Sequence, residues 1–194
     1  GGKRFGETVA RSNCSTRFRT DHESTDMIRE VAGDILLTRA QVIAHGIAPH
    51  DHFDTGLALA LRERWPSMVR DYRHAIHAKP LEAGGIWAWA GVDAEGRTRG
   101  IVNLLTQGMI GDGKAAKPGK ATLENVSRSL KALARHLRDE KVTSVALPRL
   151  ATGGGGLEWR DVKPLVRQHL GDVGVPVVVY DVYVKGVRAD EGFG

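Results

Sequence analysis

What most limits the folds open to this chain is an alternation. From Met27 onward, short apolar runs (Met27–Val31, Gln41–Ile47, Ile86–Ala90, Ile101–Leu105, Val142–Leu147 and Val175–Val184) are separated by stretches with helical periodicity. Strands alternating with helices predict an α/β fold, because two parallel strands must be joined by a crossover and a helix makes that crossover compactly. The helices are legible. Pro66 opens one whose Met68, Val69, Tyr72, Ala75 and Ile76 share a face, and Leu123, Val126, Leu130, Leu133 and Leu137 mark a second. A third near Trp159–Leu170 contains Pro164, which must lie in its first turn or kink it. Asp93–Gly96 reads as a hairpin turn between the Trp87/Trp89 strand and Ile101–Leu105, which makes the sheet mixed rather than wholly parallel. Trp87 and Trp89 alternate with alanines and are expected on one face, in the core.

A length of 194 residues with 41% hydrophobic content suits one domain with a core of its own. Residues 1–26 are polar and lack periodicity, so they read as a flexible leader. The domain spans 27–188, and 189–194 form a tail. A lone cysteine, Cys14, excludes an intramolecular disulfide, and no apolar run has the length of a signal core or a membrane span. The expectation is a cytoplasmic monomer without membrane contact. Of the net charge of +5, all can be assigned to residues 114–141, where eight Lys and Arg face only Glu124, Asp139 and Glu140. Such a stripe suits phosphates or nucleic acid, and the plainer reading is a solvated helix face.

In an open α/β sheet, function gathers where strands end and helices begin. Three loops fit that position. In Val31–Ile35 a glycine precedes Asp34, whose carboxylate can accept from an exocyclic amine; a plain turn is the alternative. In Phe53–Leu57, Asp54 or Thr55 can serve as a helix N-cap. The third is the informative one, because Leu147–Thr152 runs into four consecutive glycines, Gly153–Gly156, followed by Leu157, Glu158 and Trp159. Glycines offer only backbone, and free N–H groups in a concave turn beside a helix N-terminus make a diphosphate cradle.

Taken in order, Gly33–Asp34, Asp54–Ala58, Leu147–Trp159 and Val178–Tyr180 resemble the macrodomains. They are most similar to the branch of terminal ADP-ribose protein glycohydrolase and of the antitoxins that reverse thymidine ADP-ribosylation of DNA. The resemblance spans about Met27 to Lys185 and implies a three-layer α/β/α domain around a central mixed sheet. It implies ADP-ribose as ligand and no further cofactor. By it Asp34 and Ile35 contact adenine, and Tyr180 stacks on the ring, a contact worth about 1–3 kcal/mol. Gly56, Leu57 and Ala58, with Thr152, Gly153, Gly154, Gly155, Gly156 and Leu157, hold the diphosphate and distal ribose. His45, Thr55 and Thr106 complete the set.

Two departures bear on chemistry. Relatives carry a lysine after the threonine matching Thr106, and it can attack the opened distal ribose; here that position is Gln107, whose amide nitrogen cannot form an imine. In the human relative an aspartate lies within the glycine loop, where this chain has Gly155. Lys114, Lys117 and Lys120 sit in a Gly- and Pro-containing segment and are not expected to reach the pocket. What remains is attack by a positioned water, with Gln107 orienting it and Asp54 as a base. The partners implied are ADP-ribosylated protein, through Asp or Glu esters, and ADP-ribosylated DNA. A non-catalytic ADP-ribose reader is the alternative. His45, His50, Asp51, His52 and Asp54 resemble a metal set in composition, yet they lack ligand spacing and read better as a polar rim, with no metal.

Overall fold

The apolar runs become the strands of one sheet in the computed structural model, which describes residues 27–193; the expected leader lies outside them. The strands are β1 (Ile28–Gly33), β2 (Val42–Ile47), β3 (Ile86–Val92), β4 (Thr98–Leu105), β5 (Gln107–Ile110), β6 (Lys117–Ala121), β7 (Val145–Pro148) and β8 (Val177–Tyr183). The helices are α1 (Gly56–Arg64), α2 (Pro66–Ala78), α3 (Leu123–Asp139) and α4 (Trp159–Leu170). The six-stranded sheet has the order β1-β8-β7-β2-β4-β3, and β5 pairs with β6 in a separate hairpin. Neighbours in the large sheet are parallel except β3, which runs antiparallel to β4. The mixed sheet expected from Asp93–Gly96 is therefore present, and the Asp93 carboxylate holds that turn by accepting from Glu95 N and Arg97 N.

Strand alternation divides the core in two. Val42, Ala44, Val102 and Leu104 face α3 and α4, whereas Ile43, Ile47, Ile101 and Leu105 face α1 and α2. This is the α/β/α sandwich. Trp87 and Trp89 are half-buried against the second layer, where Trp87 meets Tyr72 edge-on at 5.3 Å and Trp89 Nε1 donates to Asp71. Thr122 caps α3 by accepting from Asn125 N. Pro164 is the sixth residue of α4 rather than part of its first turn; the helix continues through it, leaving the Arg160 carbonyl without that donor.

Three features depart from expectation. The β5–β6 hairpin occupies a stretch that looks like loop. The basic stripe is not one helix face, since Lys117 and Lys120 lie on β6 and only Arg128, Lys131, Arg135 and Arg138 stand exposed on α3. The last described residues pack back on the domain: Glu191, only 7% exposed, accepts from Thr38 Oγ1, Arg39 N (2.8 Å) and the Tyr180 hydroxyl (2.9 Å).

Candidate functional site

All the parallel strands point their carboxyl ends to one edge, so Asp34, Ile47, Thr106, Pro148 and Tyr180 end up along a single row. A cleft of about 390 Å³ opens there, lined by Ile35, Leu36, Gly56, Leu57, Pro148 and Tyr183 among others. Tyr180 also contributes, but its ring is 5% exposed and its hydroxyl is held by Glu191; burial drives its pKa above the ordinary tyrosine value. Tyr183 is the more available aromatic, at 62% exposure. Residues three apart on a strand normally point to opposite faces. Here the β1–β8 register slips between Val31 and Ala32, which face Tyr180 and Val182, so Asp181 is an extra residue that brings both tyrosines to the cleft.

Asp34 immediately precedes Ile35 of the cleft wall, is buried, and has both carboxylate oxygens engaged by the backbone. Its Oδ1 accepts from Leu36 N at 3.0 Å and its Oδ2 from Gly186 N at 2.9 Å, while its own N–H donates to Val187 O. Each oxygen keeps a lone pair for a further donor. The loop at Gly33 is equally tight, because a Cβ there would stand 2.8 Å from Ala189.

The glycine loop is clamped at both ends. Before it, the Arg149 guanidinium pairs with Asp181 on β8 at 2.7 Å and lies over the Trp159 ring at 6.0 Å, so residues 150–158 bridge two fixed points. Thr152 Oγ1 donates to Arg149 O, Gly156 N to Gly153 O and Leu157 N to Ala151 O. The four glycines are not equivalent. Gly153 and Gly154 face open space, whereas a Cβ on Gly155 would lie 2.6 Å from Ala151 O. Gly156 adopts φ 76, a left-handed backbone that favours glycine. Ala121 N donates to Gly155 O, so β6 runs beside the loop, and the Lys120 stem comes within 3.6 Å of a Cβ built on Gly156. Contrary to expectation, then, one of the three lysines does stand at the cradle; among the described residues no carboxylate pairs with it.

At the ends of β2 and β4 the expected residues separate. His45 does not line the cleft. It is 2% exposed, with Nε2 lying 2.6 Å from Asn103 Oδ1 on the neighbouring strand, and burial lowers its pKa to about 4. It is a neutral core histidine. Thr106 is buried too, its Oγ1 against the bare backbone of Gly46 and without a hydrogen-bond partner among the described residues. Gln107 opens β5, and its Nε2 donates to Gly119 O at 2.7 Å, which ties the residue to the hairpin. Thr55 occupies the N-cap position of α1 without a side-chain cap bond, Asp54 is exposed beside it, and Ala58, on α1, packs against the core. Among the described residues no three His, Cys, Asp or Glu come together to hold a metal ion, and no helix is long and apolar enough to cross a membrane.

Sequence reasoning missed Leu36, Pro148, Tyr183 and Glu191, and it set Lys120 aside. Tyr183 could have been found only by anticipating the extra residue in β8. Glu191 gave no signal, being one of two adjacent acids near the end of the chain, and its partners Thr38 and Arg39 lie 153 and 152 positions away.

The Macro domain family model matches residues 44–166, more than half of the chain. The chain is 28% identical over 157 residues to a DNA ADP-ribosyl glycohydrolase of Thermus aquaticus, covering 80% of this chain and 41% of that protein. It is 29% identical over 169 residues to one of Mycobacterium tuberculosis, covering 86% of this chain and 45% of the other. The chain thus spans less than half the length of the curated relatives it matches. Its fold superimposes on the macrodomain of Thermus aquaticus DarG with a TM-score of 0.67 at 27% identity, covering 79% of this chain and 97% of that one. For the macrodomain of Mycobacterium tuberculosis DarG the TM-score is 0.65 at 25% identity, with 81% and 97% covered. The chain belongs to the macro domain family.

Proposed function

We propose that this protein is an ADP-ribosyl hydrolase that takes ADP-ribose along the row of strand ends and frees it from a DNA base or from an Asp or Glu ester of a protein. The observation that carries this reading is the glycine loop: open backbone at Gly153 and Gly154, clamped at both ends and flanked by the Lys120 stem, beside an apolar cleft with an exposed tyrosine. N–H groups and a nearby ammonium suit a diphosphate, and an aromatic edge suits a purine. Adenine lies against Ile35 and Tyr183, with Asp34 taking its amine on a lone pair the backbone leaves free. The distal ribose then falls at the ends of β2 and β4, beside the half-buried Gln107. Relatives named as DNA ADP-ribosyl glycohydrolases support the hydrolytic reading.

The chemistry proceeds without a lysine nucleophile at position 107. Because the Gln107 amide donates to Gly119 O, its carbonyl oxygen is the atom left to accept a proton of the attacking water, with exposed Asp54 as the base. A pure reader is the second reading, favoured by the same engagement of Gln107. Release of free ADP-ribose from an ADP-ribosylated oligonucleotide and from an ester-modified protein separates the two. Native protein is expected to release it from at least one, and Gln107→Ala to do so about 10²-fold more slowly at unchanged ADP-ribose affinity. No release from either substrate favours the reader.

A further inference from the structure

After β8 the chain turns back along the end of β1 and stays there. Val184 N donates to Gly33 O at 2.9 Å, Gly186 N donates to Asp34 Oδ2 at 2.9 Å, and Val187 O accepts from Asp34 N at 2.7 Å. Ala189 closes over Gly33, and Ala189 and Phe193 pack against the core layer that holds Ile35 and Tyr180.

Glu191 stands between those two in sequence and is buried, yet among the described residues no cation forms an ion pair with it. A buried carboxylate is costly unless donors replace its water, so the donors it takes are informative. Oε1 accepts from Arg39 N at 2.8 Å; Oε2 accepts from Thr38 Oγ1 and, at 2.9 Å, from the Tyr180 hydroxyl.

All three donors belong to elements that line the adenine end of the cleft. Thr38 caps the short helical turn Ile35–Leu37, whose Ile35 and Leu36 face the cleft, and β8 supplies Tyr180 and Tyr183. The turn is held from behind as well, because the Arg99 guanidinium donates to the Thr38 and Ala40 carbonyls and Ala40 N donates to Thr38 Oγ1. One carboxylate therefore ties a braced turn to a sheet strand. An apolar side chain would seal the chain end without burying a charge-bearing group; what the carboxylate adds is direction, fixing Tyr180 and the turn relative to each other.

We infer that Glu191 is a positioning residue for the purine, setting the Ile35–Leu37 turn and β8 at the spacing the adenine ring requires. The inference rests on the placement of adenine proposed above and adds to the adenine site a residue that lies behind its wall. Glu191 acts through Thr38, Arg39 and Tyr180.

The test is calorimetric titration of adenosine and of ADP-ribose, carried out well below the thermal midpoint of every protein. It uses native protein, Glu191→Ala, Tyr180→Phe, the double variant, and Asp190→Ala, which removes the exposed ion pair to Arg29 from the same segment. Glu191→Ala is expected to lose about tenfold for both ligands and Tyr180→Phe about threefold. The double variant should lose no more than Glu191→Ala alone, since the two changes remove one shared hydrogen bond, and Asp190→Ala should stay within about twofold of native. Should Glu191→Ala fail to fold, Glu191→Gln, which keeps one acceptor oxygen, is expected to lose about threefold. A lowered midpoint with native affinity for both ligands would make Glu191 a purely structural residue and overturns the inference. So does a loss for ADP-ribose without one for adenosine, which would put the effect at the diphosphate, or an equal loss in Asp190→Ala, which would make the whole segment responsible. Failure of native protein to bind either ligand refutes the reading of the cleft and this inference together, whereas native binding of both, unaltered in the Glu191 variants, refutes this inference alone.

Discussion

The glycine loop can be dissected with three substitutions at two adjacent positions. At Gly155 a Cβ would stand 2.6 Å from Ala151 O and 3.0 Å from both the Ala151 carbonyl carbon and Ala121 Cβ. These are backbone and short, fixed groups, and Ala151 is itself held at φ 62, so the loop cannot yield cheaply. Overpacking of this kind costs about 1–3 kcal/mol. In a domain of this length each kcal/mol moves the thermal midpoint by about 2–4 °C, so Gly155→Ala should unfold roughly 2–12 °C below native. Gly154 has nothing within 4 Å, and Gly154→Ala should be neutral or stabilising by about 0.4–1 kcal/mol, since it restricts the unfolded chain. Gly154→Glu, equally tolerated by the fold, brings a carboxylate to the surface on which the diphosphate lies. A tenfold loss of ADP-ribose affinity, about 1.4 kcal/mol, is the least expected. Thermal unfolding and calorimetric titration read both effects. A native midpoint in Gly155→Ala would mean that β6 does not brace the loop, and native affinity in Gly154→Glu would mean that the diphosphate never approaches it.

Burial of His45 makes stability depend on pH. Its folded pKa near 4 lies below the ordinary 6.5, so the unfolded chain takes up the proton first; stability is full above pH 6.5 and falls by about 3 kcal/mol as pH drops to 4, which denaturant titrations along that range will detect. Asp34→Ala strips partners from Leu36 N and Gly186 N, so it should lower stability by about 1–3 kcal/mol besides weakening adenosine binding; an unchanged midpoint contradicts the hydrogen bonds described. Lys120→Ala should weaken ADP-ribose by about three- to tenfold and leave adenosine unaffected, and an equal loss for both ligands would remove Lys120 from the diphosphate.

How far the sequence could be read depended on whether the signal was local. The six strands and the amphipathic faces of α2 and α3 were legible because burial on one side imposes its own period. The glycine loop was legible because four adjacent residues without side chains can offer only backbone. Residues 107–121 were not, since Gly111, Gly113 and Pro118 break the alternation that marks a hairpin, and with that hairpin went the position of Lys120. The resemblance places His45 among the ligand contacts. Its true partner, Asn103, lies on a strand 58 residues away, and only the parallel register of β2 and β4 brings them together. Glu191 belongs to the same class, a buried acceptor whose donors come from a distant loop and strand.

Backbone amide shifts followed during an ADP-ribose titration test the central claim most directly, because the ligand's path is defined residue by residue. The expected perturbations run in one line, from Ile35 and Tyr183 through Gly153–Leu157 to Gln107, and spare Thr143 and Ser144 at the opposite end of the sheet. Shifts centred on Thr143 and Ser144, or none along Gly153–Leu157 at saturation, would contradict it.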